Sequence, residues 1–213
     1  MHNTTLDEVK SIRFLGVIIN NKLTWEPHKQ HVHAKTLKSL GIINKCKYIM
    51  KEKELINMYK TFIEPYFLYA IEVWGHSVTS KTDILIKLQN RAIRNIFNCY
   101  RTDDAWRRCN NRILNINDLY AKVLTRICHK HHCNQLPNYF SLNIMPIKIS
   151  STADFMENMV QTRTTCHKQY NYKIDHTDHS YNFKYNCANI WNNLPLEVKL
   201  IPYSYYLNCY ILH

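Results

Sequence analysis

Three glycines, Gly16, Gly41 and Gly75, are all that 213 residues contain, and that scarcity constrains the fold more than any single motif. Tight hairpins and phosphate-cradling loops need backbone in the left-handed region, which glycine enters at least cost. No two of these glycines lie close enough to build such a loop, so a P-loop or a dinucleotide-binding fingerprint is excluded. Scarce glycine together with long apolar-periodic segments favours helices over a hairpin-rich sheet.

The periodicity supports a mostly α chain with a small N-terminal β element. Residues 12–19 are β-branched and apolar, stop at Asn20-Asn21, and read as a short strand followed by a turn. From Pro27 a helix is expected, with Val32, Ile43, Cys46 and Met50 on one side and Lys38 and Lys45 on the other. The stretch from 52 to 74 is apolar all round and belongs in a core; Pro65 should kink or split it, and Gly75 should end it. Residues 81–98 form a cleaner amphipathic helix, with Leu85, Leu88, Ala92 and Ile96 inward and Lys87, Arg91 and Arg94 opposite. Residues 117–133 give another, carrying Tyr120, Val123, Leu124 and Ile127 on one side and Lys122, Arg126 and Lys130 on an adjacent face. Beyond Pro137 the texture becomes loop-rich. Short strands are expected within 146–185, a compact turn at Trp191-Asn192-Asn193-Leu194-Pro195, and a last short helix over 203–212.

Hydrophobic residues make up 46% of the chain, enough for a core. Lys and Arg number 28 against 16 Asp and Glu, a formal charge of +12 that suits a polyanionic partner. The N-terminus is polar and lacks the apolar region of a secretory signal. The most apolar run, Phe62 to Trp74, is too short to span a membrane and contains Glu64, Pro65 and Glu72. An intracellular protein of cytoplasm or nucleus, with no membrane partner, is therefore expected. Its eight irregularly spaced cysteines read as reduced, mostly buried thiols.

Four groups of residues invite a chemical reading. Tyr100-Arg101-Thr102-Asp103-Asp104 looks like the Tyr-x-Asp-Asp hairpin that holds polymerase Mg²⁺, but the spacing is one residue too long and no second acidic strand is evident. The two aspartates fit better as caps on a short helix at 104–113. Lys87, Arg91 and Arg94, with Lys35, Lys38 and Lys45 among eight lysines between 29 and 60, could meet successive backbone phosphates. Charged helix faces are more often simply solvated. Cys128, His129, His132 and Cys133 form two i,i+4 pairs that could each offer two zinc ligands, although no partner pair completes a tetrahedron. His28, His31 and His33 are too alike in setting to separate.

Blocks spread from about 12 to 200 carry a family resemblance. Phe14-Leu15-Gly16, within Ile12 to Trp25, resembles the block after the catalytic centre in reverse transcriptases of non-LTR retrotransposons of the jockey-like LINE branch. Tyr59-Lys60-Thr61-Phe62-Ile63-Glu64-Pro65 and Tyr69-Ala70-Ile71-Glu72-Val73-Trp74-Gly75 resemble that family's "LY-x-x-x-I-x-P…YG-x-x-VWG" segment. The run from Leu85 to Arg94 is similar to its "KLQ-x-RAIR" helix. Leu114–Tyr120, Asn134–Phe140, Thr162-Arg163 and Ile190–Pro195 follow in the family's order. The chain departs from the pattern at Tyr185-Asn186-Cys187, where a glycine is usual, and in a tyrosine-rich rather than lysine-rich C-terminus.

The resemblance implies a fragment lying beyond the catalytic palm. Residues 1–26 would be the end of the palm with a primer-grip-like β element at Phe14, Leu15 and Gly16. Residues 27–100 would be a helical thumb-like bundle, 101–145 a helical connection, and 146–213 a loop-rich α+β C-terminal region. The parent enzyme would copy RNA into DNA with Mg²⁺ held in its palm. This chain would carry no catalytic carboxylates and no cofactor of its own, and at most would bind an RNA–DNA or RNA template–primer beside the missing palm and fingers. Two other readings stay open: a transposon-derived structural or interaction protein without nucleic-acid function, and a small zinc module around 128–133.

Overall fold

The computed structural model describes residues 9–78, 82–133, 135–136, 183–195 and 198–199. The described chain is mostly helical with one small antiparallel sheet, as the periodicity predicts. It divides into two compact units, residues 1–119 and 120–213.

The first unit opens with a hairpin where a single strand was expected. Strands β1 (Ser11–Phe14) and β2 (Val17–Asn20) pair with Phe14 opposite Val17 and Ser11 opposite Asn20. The two-residue connection Leu15-Gly16 has positive φ at both positions, 45° and 84°, the geometry of a primed turn that matches strand twist. The sequence does not reveal this turn, because Leu15 is a poor left-handed residue and gives no turn signal.

Helix α1 (Glu26–Cys46) starts as predicted, with Pro27 in its first turn. It buries Val32, Thr36, Leu40 and Ile43, while Lys38 and Lys45 face solvent and Met50 lies exposed beyond the helix end. The 52–74 stretch is three helices: α2 (Glu52–Phe62), α3 (Glu64–Leu68) and α4 (Ile71–Trp74). Pro65 explains the first break, since it offers no N–H to the carbonyl of Thr61 and its ring would collide there. The second break is at Ala70, left-handed at φ 51°. Trp74 ties across it, its Nε1–H donating to the Tyr69 carbonyl at 2.9 Å. The α-helical stretch ends at Trp74 with Gly75 as its C-cap, as expected, and the chain continues in a 3₁₀ turn, Gly75–Ser77.

That stretch is not buried all round. Leu55, Tyr59, Ile63, Phe67, Ile71 and Trp74 face the core, whereas Phe62, Tyr66, Tyr69 and Val73 are exposed. Helix α5 (Ile84–Phe97) packs along α1 and buries Leu85, Leu88, Ala92 and Ile96. Helix α6 (Thr102–Cys109) begins earlier and ends sooner than the 104–113 expectation, because Asn110 turns left-handed and closes it.

The boundary between the units falls within α7 (Ile116–His132). In the second unit Leu124 and Cys128 of α7 pack with Cys187, Ala188 and Trp191 of α8 (Phe183–Asn192). Tyr120, Ile127, Phe183 and Leu194 lie against this cluster. Residues 183–192 are thus helical where loop, strand and turn were expected, since Cys187, Ala188 and Trp191 recur at helical spacing toward α7. The expected strands upstream of Phe183 and the last helix over 203–212 lie outside the described residues. Among the described residues no helix is long and apolar enough to cross a membrane.

Candidate nucleic-acid interface

Helix α5 is held from below by buried polar groups, and this fixes what its outer side can present. Asp83 caps it: Oδ1 accepts the Leu85 N–H at 2.9 Å, and Oδ2 accepts from Lys29 Nζ at 2.9 Å. Lys29 also pairs with Glu26 at 3.0 Å. Burial alone would lower the Lys29 pKa, but the bonds and charges of Asp83 and Glu26 outweigh it and raise the value. Six residues on, buried Gln89 donates to the Tyr59 hydroxyl at 2.8 Å and to the Leu114 carbonyl at 2.9 Å, and accepts the Ile116 N–H at 3.1 Å. Burial pushes the Tyr59 phenol far above its ordinary value, so it stays neutral.

Above this base the predicted cationic stripe divides. Lys87 and Arg91 are exposed and make no ion pair among the described residues. Arg94 is half-buried, and its guanidinium donates to Thr102 Oγ1 at 3.3 Å. Arg94 therefore secures α6 to α5 and does not extend the free stripe. Lys29 likewise leaves the set of available lysines, because its ammonium is committed to carboxylates. Lys35, Lys38 and Lys45 remain exposed on α1. Between α1 and α5 lies a cleft of about 180 Å³ with His33, Lys87 and Arg91 on its wall.

The hairpin presents its tip outward. Phe14 is 61% and Leu15 75% exposed, so an ordinary buried strand is not what these residues form. The Tyr69 hydroxyl donates to the Leu15 carbonyl. Gly16 suits the turn because its φ is +84°, a conformation that strains side chains with Cβ; the Tyr69 ring lies at contact distance over it. On the inner side the Ile18 N–H donates to His28 Nδ1 at 3.3 Å, while the His28 ring meets Trp74 edge-on at 5.4 Å. The structure thereby separates three histidines that the sequence left equivalent. His28 is buried, and burial with the nearby charge of His31 lowers its pKa. Its Nε2 has no hydrogen-bonding partner among the described residues.

Asp103 and Asp104 are exposed in the first turn of α6, where they complement the helix dipole. Neither makes a cap bond; the N-cap is Arg101. Cys128 is buried, with its thiol 3.5 Å from the Cys187 carbonyl. The Cys187 side chain first, then burial, raise its pKa well above the ordinary thiol range, which opposes the thiolate a metal would need. Cys133 Sγ lies 3.6 Å from His129 Nδ1, and His129 packs edge-on to Trp191 at 6.0 Å. The side chain of His132 lies outside the described residues. Among the described residues no three His, Cys, Asp or Glu side chains gather as a metal site.

With this geometry in place, one comparison bears on it. The chain is similar to the protein described as a probable RNA-directed DNA polymerase from transposon BS of Drosophila melanogaster, 26% identical over 105 residues. The likeness covers 46% of this chain and 11% of that protein. It supports a relationship to transposon reverse transcriptases. No model of a protein family matches the sequence, and no solved structure matches it.

The residues that sequence reasoning missed are those that support the others. Gln89, Asp83 and Lys29 carry no periodic signature that separates a buried polar group from a solvated one. Tyr69 sat within a resembling block, but its contact with Leu15 spans 54 positions and no local pattern shows it.

Proposed function

We propose that this chain is a fragment of a non-LTR retrotransposon reverse transcriptase, from the jockey-like branch and from beyond the catalytic carboxylates. Its role is to hold template–primer and not to polymerise. The parent enzyme would bind Mg²⁺ through palm carboxylates that this reading places outside these residues. The observation that carries the proposal is the pair Lys87 and Arg91: exposed, one turn apart, and fixed on a helix whose other face is anchored in the core. Lys35, Lys38 and Lys45 add charge on α1. The likeness to a transposon polymerase makes a nucleic-acid phosphate backbone the fitting counter-charge.

The hairpin tip belongs to the same reading. Phe14, Leu15 and Gly16 would form the primer-grip-like element, with the uncovered side of α2–α4 packing on the palm and fingers of the parent polymerase. Exposed Phe62, Tyr66, Tyr69 and Val73 support this, since clustered apolar side chains mark contact surfaces.

Binding of an RNA–DNA hybrid, titrated from low to high salt, tests the proposal. Each neutralised phosphate contributes about 0.9 to the slope of log affinity against log salt on a duplex. The double variant Lys87→Glu/Arg91→Glu should lower the slope by ~2 and weaken every sequence alike. Unchanged binding would refute the thumb assignment.

A further inference from the structure

The cleft between α1 and α5 is built differently from a ridge that tracks phosphates. Its mouth carries Lys87 and Arg91, yet its wall is aliphatic, with Leu40 and Leu88 buried, Ile84 beside them and Leu37 exposed at the rim. At about 180 Å³ it greatly exceeds the ~15 Å³ that a water needs. Among the described residues no carboxylate lines it. Arg94, the third cation of the predicted stripe, is bonded to Thr102 and takes no part.

The combination selects among ligand chemistries. A phosphate alone gains nothing from hydrocarbon, because burying an anion there costs free energy. A neutral apolar molecule has no use for two cations. A nucleotide has both parts, a ring with apolar faces and a phosphate beside it. A base paired within a duplex presents only its edge, and must be extruded before its faces can enter a cleft.

We propose that this cleft seats one unpaired nucleotide of a single strand, its base on Leu37, Leu40 and Leu88 and its flanking phosphates on Lys87 and Arg91. His33 stands on the α1 side, where its ring can contact the seated base. The proposal rests on the nucleic-acid reading above and adds to it the state of the strand: the chain prefers an unpaired segment or a junction over continuous duplex.

Fluorescence anisotropy on the full chain tests this with a labelled ten-nucleotide oligouridylate and a blunt RNA–DNA hybrid of equal length. Leu37 is 42% exposed at the rim, so Leu37→Trp fills the cleft while leaving the charge intact. Single-strand affinity should fall about tenfold and hybrid affinity by less than about twofold. An equal loss for both probes, or no loss for the single strand, overturns the nucleotide seat but leaves the phosphate contacts standing. A chain that binds neither probe overturns the nucleic-acid reading as well. Uptake of anionic phospholipid vesicles that Leu37→Trp abolishes would identify an amphiphile site and also overturn it. Photocrosslinking of a 4-thiouridine oligonucleotide to the unsubstituted chain is independent of any folding defect. Label on peptides covering 33–40 or 84–91 supports the seat; label confined elsewhere overturns it.

Discussion

Helix α5 and the broken stretch α2–α4 are comparably apolar in sequence and end in different states. α5 is continuous, capped by Asp83 and pinned by Gln89, and it turns its apolar side wholly inward. The α2–α4 stretch is interrupted twice, and it leaves Phe62, Tyr66, Tyr69 and Val73 at the surface. Apolar content therefore did not decide burial. What decided it was the presence of a facing surface, which α1 supplies to α5; among the described residues, Phe62, Tyr66 and Val73 of α2–α4 are left exposed. Buried polar groups mark the difference: under α5 they are satisfied and directional, so they fix one arrangement.

The largest effect should come from breaking the polar base of α5. Gln89→Leu leaves the Tyr59 hydroxyl, the Leu114 carbonyl and the Ile116 N–H without their buried partner, and should cost on the order of 4 kcal/mol. Urea denaturation of the full chain measures it. A cost below about 1 kcal/mol would place α5 on the same footing as α2–α4.

Lys29→Met comes next. It strands the Asp83 carboxylate, whose side chain is 6% exposed, and should cost on the order of 3 kcal/mol. The pair also has a signed pH dependence. Because the folded-state pKa of Lys29 is raised, its contribution is complete below the unfolded value of 10.5 and is lost as pH rises through the folded value. Denaturation midpoints at pH 8 and well above pH 10.5 should diverge in the parent and converge in Lys29→Met.

His28 sharpens the comparison from the other end, because it joins α1 to the hairpin and to Trp74 of α4. Its folded pKa is lowered, first by burial and then by His31. The stability it contributes is complete above the unfolded value of 6.5 and is lost as pH falls through the folded value. His28→Gln, which keeps an acceptor for the Ile18 N–H, should flatten stability between pH 7 and pH 5. An undiminished slope would assign the acid response to other groups.

The smallest expected effect is a gain within α2–α4. Ala70 is left-handed at φ 51°, a conformation that strains a residue with Cβ by ~1 kcal/mol. Ala70→Gly should stabilise the chain by no more than about 0.5 kcal/mol, net of the extra freedom glycine gives the unfolded state. A thermal melt that moves down instead would mean that the break at Ala70 is not where the strain lies.

Much of the fold was legible before the structure. Pro27 marked the start of α1, Pro65 marked a break, and Leu85, Leu88, Ala92 and Ile96 marked the inner face of α5, because backbone chemistry and helical spacing are local properties. The hairpin turn was not legible, since Leu15 carries no turn signal and its position is held by Tyr69 from far along the chain. Nor was the helix at 183–192, whose buried residues face Leu124 and Cys128 of α7. Of the candidate site, the sequence supplied Lys87, Arg91 and Arg94 as equals. Only packing separated them, by placing Thr102 within hydrogen-bonding distance of Arg94 and, among the described residues, no ion-pair partner beside the other two.

The sequence by itself determined that this chain is helical, basic and marked by blocks resembling a reverse transcriptase, because composition, spacing and residue order are fixed along the chain. The tertiary structure decided which charges are free, which apolar faces are covered, and where a cleft opens between α1 and α5. Those depend on what lies opposite a side chain in space, and residues 54 positions apart, such as Lys29 and Asp83, settle the matter.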